Sequence, residues 1–249
     1  MYNMVRIFGA LFLYIRSYHV VAKSKKVSSI KTHSSILTPK SLSQQKYFDY
    51  LNDFDVPVVL GVGPAGTGKT LFACHSAVEH LRSEKVSKII LTRPSVSVDE
   101  DIGYLPGSVL KKMDPFIRPL FDILFESYTR GEIDSMIQQN IIEISTLGFM
   151  RGRTFKNAFI VADEMQNSSP SQMKMLLTRL GEKTRLVITG DLAQSDLGFN
   201  NGLADFFYRI REKGEEDIPG IRFTEFSRED VQRSAIVSTI LGLYSGKSL

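Results

Sequence analysis

The chain has 249 residues, a formal net charge of +4 and one cysteine, with 43% hydrophobic and 23% charged residues. That is enough chain for one α/β domain of ordinary size plus a tail, or for two small domains, with a balance usual for a soluble globular protein. A lone cysteine excludes an internal disulfide framework and a Cys-based zinc site, and suits a reducing compartment.

Charge is unevenly spread from the amino terminus on. Arg6, Arg16, Lys23, Lys25, Lys26, Lys31, Lys40 and Lys46 all precede Asp49, the first acidic residue. Residues 1 to 48 thus make a basic arm, open to three readings: a disordered extension, an arm touching nucleic acid or anionic lipid, or an organelle-targeting presequence. The apolar run Ile7 to Ile15 is far short of the ~20 residues of a membrane-spanning helix, and no clean small-residue cleavage site follows it. An intracellular protein without an integral membrane span is expected, in the cytoplasm or, if the arm is a presequence, in a mitochondrion or other organelle. The folded domain is expected over 38–249, leaving 1–37 as a basic extension.

A short helix should come first, with Thr38-Pro39 as N-cap and first helical residue and Gln44 to Leu51 as its body. A strand over 57–62 then runs into Gly63-Pro64-Ala65-Gly66-Thr67-Gly68-Lys69-Thr70, which fits G-x-x-x-x-G-K-[ST] at every constrained position. Helical periodicity resumes from Leu71 to Leu81, so the motif sits between a strand and a helix N-terminus. The glycines let backbone N–H groups turn toward phosphate oxygens and the helix dipole adds positive potential. Lys69 supplies a charge to the β- and γ-phosphates, and Thr70 offers a hydroxyl to Mg²⁺. Residues 63–70 are therefore the candidate binding loop for a nucleoside triphosphate. Gly61-Val62-Gly63-Pro64-Ala65-Gly66 also fits the dinucleotide fingerprint, which wants an acidic residue closing the next strand; that strand, 87–92, is followed by Arg93. Cys74 reads as a small buried hydrophobe, and His75 and His80, five apart on one helix, have poor metal spacing.

From Pro94 to Gln139 the strand–helix rhythm breaks at Gly103, Pro106, Gly107, Pro115 and Pro119, and the segment Phe116 to Phe125 is more apolar than a surface helix needs. This is an insertion packed on the domain or on a partner. Strands are expected again over 141–145, 157–162, 185–189 and 221–226. Most of these are continuous apolar or β-branched runs, which fit strands covered on both faces of a mainly parallel, helix-flanked α/β sheet.

Two strand ends carry further chemistry. Ala158-Phe159-Ile160-Val161-Ala162 ends in Asp163-Glu164, two carboxylates that a cation would compensate: Asp163 as the water-mediated Mg²⁺ partner and Glu164 as the base or water-positioning group. The strand over 185–189 ends in Gly190-Asp191-Leu192-Ala193-Gln194, and Gln194 is a candidate sensor of the γ-phosphate or the attacking water. A guanidinium often stabilises the transferred phosphoryl group; Arg93, Arg151, Arg153, Arg179 and Arg233 are the candidates, unranked by sequence.

Together these motifs resemble the PhoH family of ATPases, related to the core of superfamily 1 helicases. The resemblance rests on Leu91-Thr92-Arg93-Pro94, Gly103-Tyr104-Leu105-Pro106-Gly107, Asp114 to Leu120, Phe149 to Thr154, Asp163-Glu164-Met165-Gln166-Asn167, Gln172 to Met175 and Thr189-Gly190-Asp191, and it covers about residues 38 to 245. It implies a RecA-like core, ATP with Mg²⁺, a ring-shaped homo-oligomer whose size stays open with a hexamer as one option, and action on RNA or single-stranded nucleic acid. By similarity Gln45 with Lys46-Tyr47 is the adenine-side glutamine motif, and Arg233 is the C-terminal arginine. Met165 departs from the more usual alanine and should be tolerated if it points into the core. Two functions of different class stay open. One is a nucleic-acid-dependent ATPase or RNA helicase using Lys69, Thr70, Asp163, Glu164 and Gln194, with Arg93, Arg151, Arg153 and Lys111-Lys112 as phosphate contacts. The other is a slow ATPase acting as a switch or assembly subunit through the 94–139 insertion.

Overall fold

The structure, a computed structural model, describes residues 37–94, 121–198, 200–214 and 218–232. The six expected strands form among the described residues as β1 Val58–Val62, β2 Lys88–Arg93, β3 Ile142–Thr146, β4 Ala158–Ala162, β5 Arg185–Gly190 and β6 Ile221–Glu225. All pairings are parallel, in the order β3-β2-β4-β5-β1-β6. The central strands β1, β4 and β5 are buried along their whole length, which is why they read as continuous apolar runs rather than alternating ones.

Successive side chains point to opposite faces of the sheet and so divide the core in two. Val59, Ile89, Leu91, Phe159, Val161 and Val187 pack with α1 Leu42–Asn52, α2 Lys69–Arg82 and α3 Arg130–Gln138. Leu60, Ile90, Ile160, Leu186 and Ile188 pack with the short α4 Leu147–Met150 and with α5 Pro170–Leu177 and α6 Gly202–Lys213. Met165 is wholly buried in this second core, so its side chain does point inward. Cys74 is buried in the first core, where burial pushes its thiol pKa up.

Helix α1 starts three residues later than its Thr38-Pro39 signal suggests. Ser41 is its N-cap, with its hydroxyl accepting from the Gln44 N–H at 3.2 Å. A serine oxygen that accepts from the amide three residues on satisfies a donor of the first turn, and so fixes the start. Of the 94–139 insertion, residues 95–120 lie outside the described residues, including Lys111-Lys112 and half of the Phe116–Phe125 segment. Residues 121–125 are helical, and Leu124, Tyr128 and Ile133 are buried in the first core, so the described part packs on its own domain. Among the described residues no helix is long and apolar enough to cross a membrane.

His80 is a core histidine rather than a ligand. It is 2% exposed, its ring lies 5.0 Å from Phe54 and 5.1 Å from Phe159, and its Nδ1 is 2.7 Å from the Ser76 carbonyl. That contact assigns the proton to Nδ1 and leaves Nε2 as a buried acceptor. Burial holds its pKa down to about 4, against about 6.5 in an unfolded chain. Between these values the unfolded state binds the extra proton, so stability is full above pH ~6.5 and falls as pH drops toward ~4. His80→Phe is expected to flatten that part of the stability-versus-pH curve in urea unfolding, whereas an unchanged curve would mean that another group sets it.

Candidate nucleotide site

Helix α2 begins at Lys69 with Gly68 as N-cap, at φ +87°, with no side-chain cap and no acidic residue in its first turn. The first-turn N–H groups have no carbonyl partners within the helix, and the dipole makes their surroundings positive, so this end is built to receive an anion. Glycine is required at 68 because few side chains adopt that φ. The loop in front of it is tied to itself: Lys69 Nζ donates to the Gly63 and Pro64 carbonyls, both at 2.6 Å, and Thr67 Oγ1 donates to the Pro64 carbonyl at 3.0 Å. Burial lowers the Lys69 pKa, while Asp191, Glu164 and Asp163 pull it back up. The cation therefore already sits in the field of the three carboxylates.

Strand order explains how those carboxylates arrive. β5 lies between β1 and β4, so the loop after β1, Gly190-Asp191 at the end of β5 and Asp163-Glu164 after β4 emerge side by side. At ~4.8 Å between strands, the outer two stand ~10 Å apart, which is room for a phosphate chain and an ion. Asp163 Oδ1 accepts from Thr70 Oγ1 at 2.8 Å and also from Thr189 Oγ1 of β5. Ala65, Gly66, Gly68, Lys69, Thr70, Asp163, Glu164, Gly190, Asp191 and Gln194 line one cavity of about 240 Å³. A hydroxyl beside a single carboxylate fits Mg²⁺, which keeps several waters and takes few protein oxygens. Among the described residues no cluster of three or more His, Cys, Asp or Glu offers a denser metal cage.

Glu164 stands in the left-handed region, at φ +53° and ψ +39°. A non-glycine residue is strained there, and such strain persists only when its neighbours hold it. Buried Met165 anchors one side. On the other, buried Gln166 donates from Nε2 to Glu164 Oε2 and accepts at Oε1 from the Asp191 N–H, 3.1 Å away. Gln166 thus clamps the end of β4 to the end of β5. In the sequence Gln166 and Thr189 stand out only as members of family motifs, with no role of their own.

Two expectations are corrected here. Gln45 does not reach the phosphate loop: its Nε2 donates to Asp49 at 2.8 Å on the exposed side of α1. Gln44 is the buried one, donating to the Thr67 carbonyl at 3.1 Å and accepting from the Lys40 N–H at 2.7 Å. Adjacent helical residues point ~100° apart, and Gln44 shares its face with buried Tyr47 and Leu51. Arg153 is not at the strand-end face. Its guanidinium makes a two-pronged ion pair with Glu143 at 2.5 and 2.9 Å, near the start of β3, where Lys88 also meets Glu143 at 3.3 Å. Arg179 is likewise used structurally, donating to the Met175 and Arg153 carbonyls. Arg93 ends β2 and is half-buried, Arg151 is exposed after α4, and Arg233 lies outside the described residues.

A family model described as PhoH-like protein matches residues 36–245. A PhoH-like protein of Mycobacterium tuberculosis is 43% identical over 211 residues, covering 84% of this chain and 58% of the relative. One from Bacillus subtilis is 39% identical over 226 residues, covering 90% and 66%. The chain thus spans less than two thirds of the length of these relatives. Among solved structures, the large terminase of a thermophilic bacteriophage is similar in fold, with a TM-score of 0.52 at 13% identity, covering 82% of this chain and 50% of the terminase.

Proposed function

The chain belongs to the PhoH-like protein family, and from that premise we propose that it hydrolyses ATP with Mg²⁺ under the control of single-stranded nucleic acid, RNA foremost. Family and fold make it a P-loop NTPase. The observation that carries the finer reading is the meeting, in one cavity, of the uncapped α2 N-terminus, Lys69, the Thr70–Asp163 pair, Glu164 and Gln194.

In this reading the α2 N–H groups and Lys69 hold the β- and γ-phosphates, Lys69 exchanging its two carbonyl partners for phosphate oxygens. Thr70 and Asp163 would hold Mg²⁺, which supplies charge neutralisation on the phosphates. Glu164 orients the attacking water and takes its proton, and Gln194 reaches the γ-phosphate from the β5 side. Arg93 and Arg151 are the candidate phosphate contacts for the nucleic acid; Arg153, held by Glu143, is not. A ring-shaped homo-oligomer belongs to the same proposal and is read by sedimentation.

Steady-state hydrolysis by the full chain, with and without single-stranded RNA over a range of salt, tests it. Turnover is expected to rise with RNA, and the stimulation to fall steeply with salt because phosphate contacts release counterions. Turnover indifferent to RNA at every salt concentration overturns the nucleic-acid half and leaves a slow nucleotide switch acting on a protein partner. ATP binding without turnover overturns the enzyme itself.

A further inference from the structure

At the opposite end of the sheet, Arg185 opens β5 with its side chain in the interior, the residue being 4% exposed. Its Nη2 donates to the Tyr50 carbonyl at 2.9 Å, whereas Nε and Nη1 are buried without a hydrogen-bond partner. A guanidinium stays charged and carries five N–H donors, so two orphaned nitrogens in the interior are strongly unfavourable unless an anion compensates them. Burial holds its pKa down to about 10, with Asp53 opposing.

Arg185 lines a cavity of about 550 Å³ with Phe54, Glu84, Lys85 and Lys183. Three cations and one carboxylate, Glu84, line it, and Asp53 acts on Arg185 from outside the lining, which leaves one positive charge in excess. Phe54 is 48% exposed; the Lys85 ammonium lies 3.9 Å from its ring centre and the Arg185 guanidinium carbon 5.4 Å. Phe54 therefore covers the guanidinium and still offers an aromatic surface. The volume is in the range of small-ligand sites and exceeds what a lone inorganic phosphate needs, and an aromatic ring beside cations is the pairing that holds a base and its phosphate.

We propose that this cavity is a second anion site, which takes a nucleoside 5′-monophosphate group, free or at the end of a nucleic-acid strand. Phe54 turns to stack on the base and uncovers Arg185, so that the phosphate meets the Arg185 guanidinium together with Lys85 and Lys183. Arg185 and Gly190 stand at opposite ends of β5, so at ~3.3 Å per residue the two sites are ~17 Å apart and one mononucleotide cannot fill both.

Uridine 5′-monophosphate titrated calorimetrically into the full chain, a Lys69→Ala variant and a Lys85→Gln/Lys183→Asn variant tests the site. Lys85 and Lys183 are exposed, and asparagine suits the left-handed φ of +52° at 183, so the double variant keeps its fold. Binding is expected to persist in Lys69→Ala and to weaken at least about tenfold in the double variant. Loss in Lys69→Ala with retention in the double variant overturns the proposal, as does absence of binding to the unsubstituted chain at millimolar ligand. Decauridylates with a 5′-phosphate or a 5′-hydroxyl separate the two sources. Preference for the phosphorylated strand, lost in the double variant, assigns the strand end; monophosphate binding without that preference assigns the free nucleotide. Equal binding of both strands with none of the monophosphate overturns the site.

Discussion

Glu164→Gln is expected to lower ATP turnover by about 10²–10⁴-fold while leaving ATP affinity within a few fold. The exchange removes the carboxylate proposed to take a proton from water but keeps its shape, and the Gln166 Nε2 still finds an oxygen to donate to. The groups proposed to hold the phosphates and Mg²⁺, Lys69, Thr70 and the α2 N-terminus, belong to another element and are untouched. Backbone strain at φ +53° is unchanged, because glutamine meets the same steric limits as glutamate, so the melting temperature should move little. Single-turnover hydrolysis beside equilibrium ATP binding separates the two effects. A variant that keeps more than about half of the original turnover would remove Glu164 from the chemistry.

The central strands were legible because a buried parallel strand is a nearly continuous apolar run, as at 58–62, 158–162 and 186–189. The phosphate loop was legible because its residues are consecutive and each has a local reason to be there. What stayed hidden depends on contacts between segments far apart in the chain. Thr189 meets Asp163, 26 residues away, only because β4 and β5 are neighbours, and nothing in either segment alone announces that pairing. Arg153 reads as a spare cation until β3 brings Glu143 to it. Gln44 and Gln45 are chemically identical in sequence, and a start fixed by Ser41 decides which one faces inward. The left-handed turn at Glu164 is invisible because glutamate, unlike glycine, gives no signal for it.

Gln166 is where this hidden connectivity should have its largest effect on rate. Its amide spans the ends of β4 and β5, holding Glu164 on one side and the Asp191 N–H on the other. Gly190 leaves the space it occupies: a Cβ there would lie 2.5 Å from Gln166 Oε1 and 2.5 Å from Leu203 Cδ2. Gln166→Ala frees Glu164 from its fixed orientation and leaves a buried N–H unpaired, so kcat should fall by about 10–10²-fold with KM for ATP nearly constant. Gly190→Ala pushes the same amide aside and should reproduce most of that loss. Since both act on the Gln166 amide, and the Leu203 methyl at the end of a flexible side chain can move aside, the double variant is expected to be little worse than either single one, whereas independent roles would multiply. A nucleotide-induced rise in melting temperature, retained in all three variants, would show that the loop still binds and that orientation of Glu164, rather than folding, has been lost. Multiplicative losses, or a collapse of KM, would instead make Gln166 a packing residue whose hydrogen bonds do not reach the chemistry.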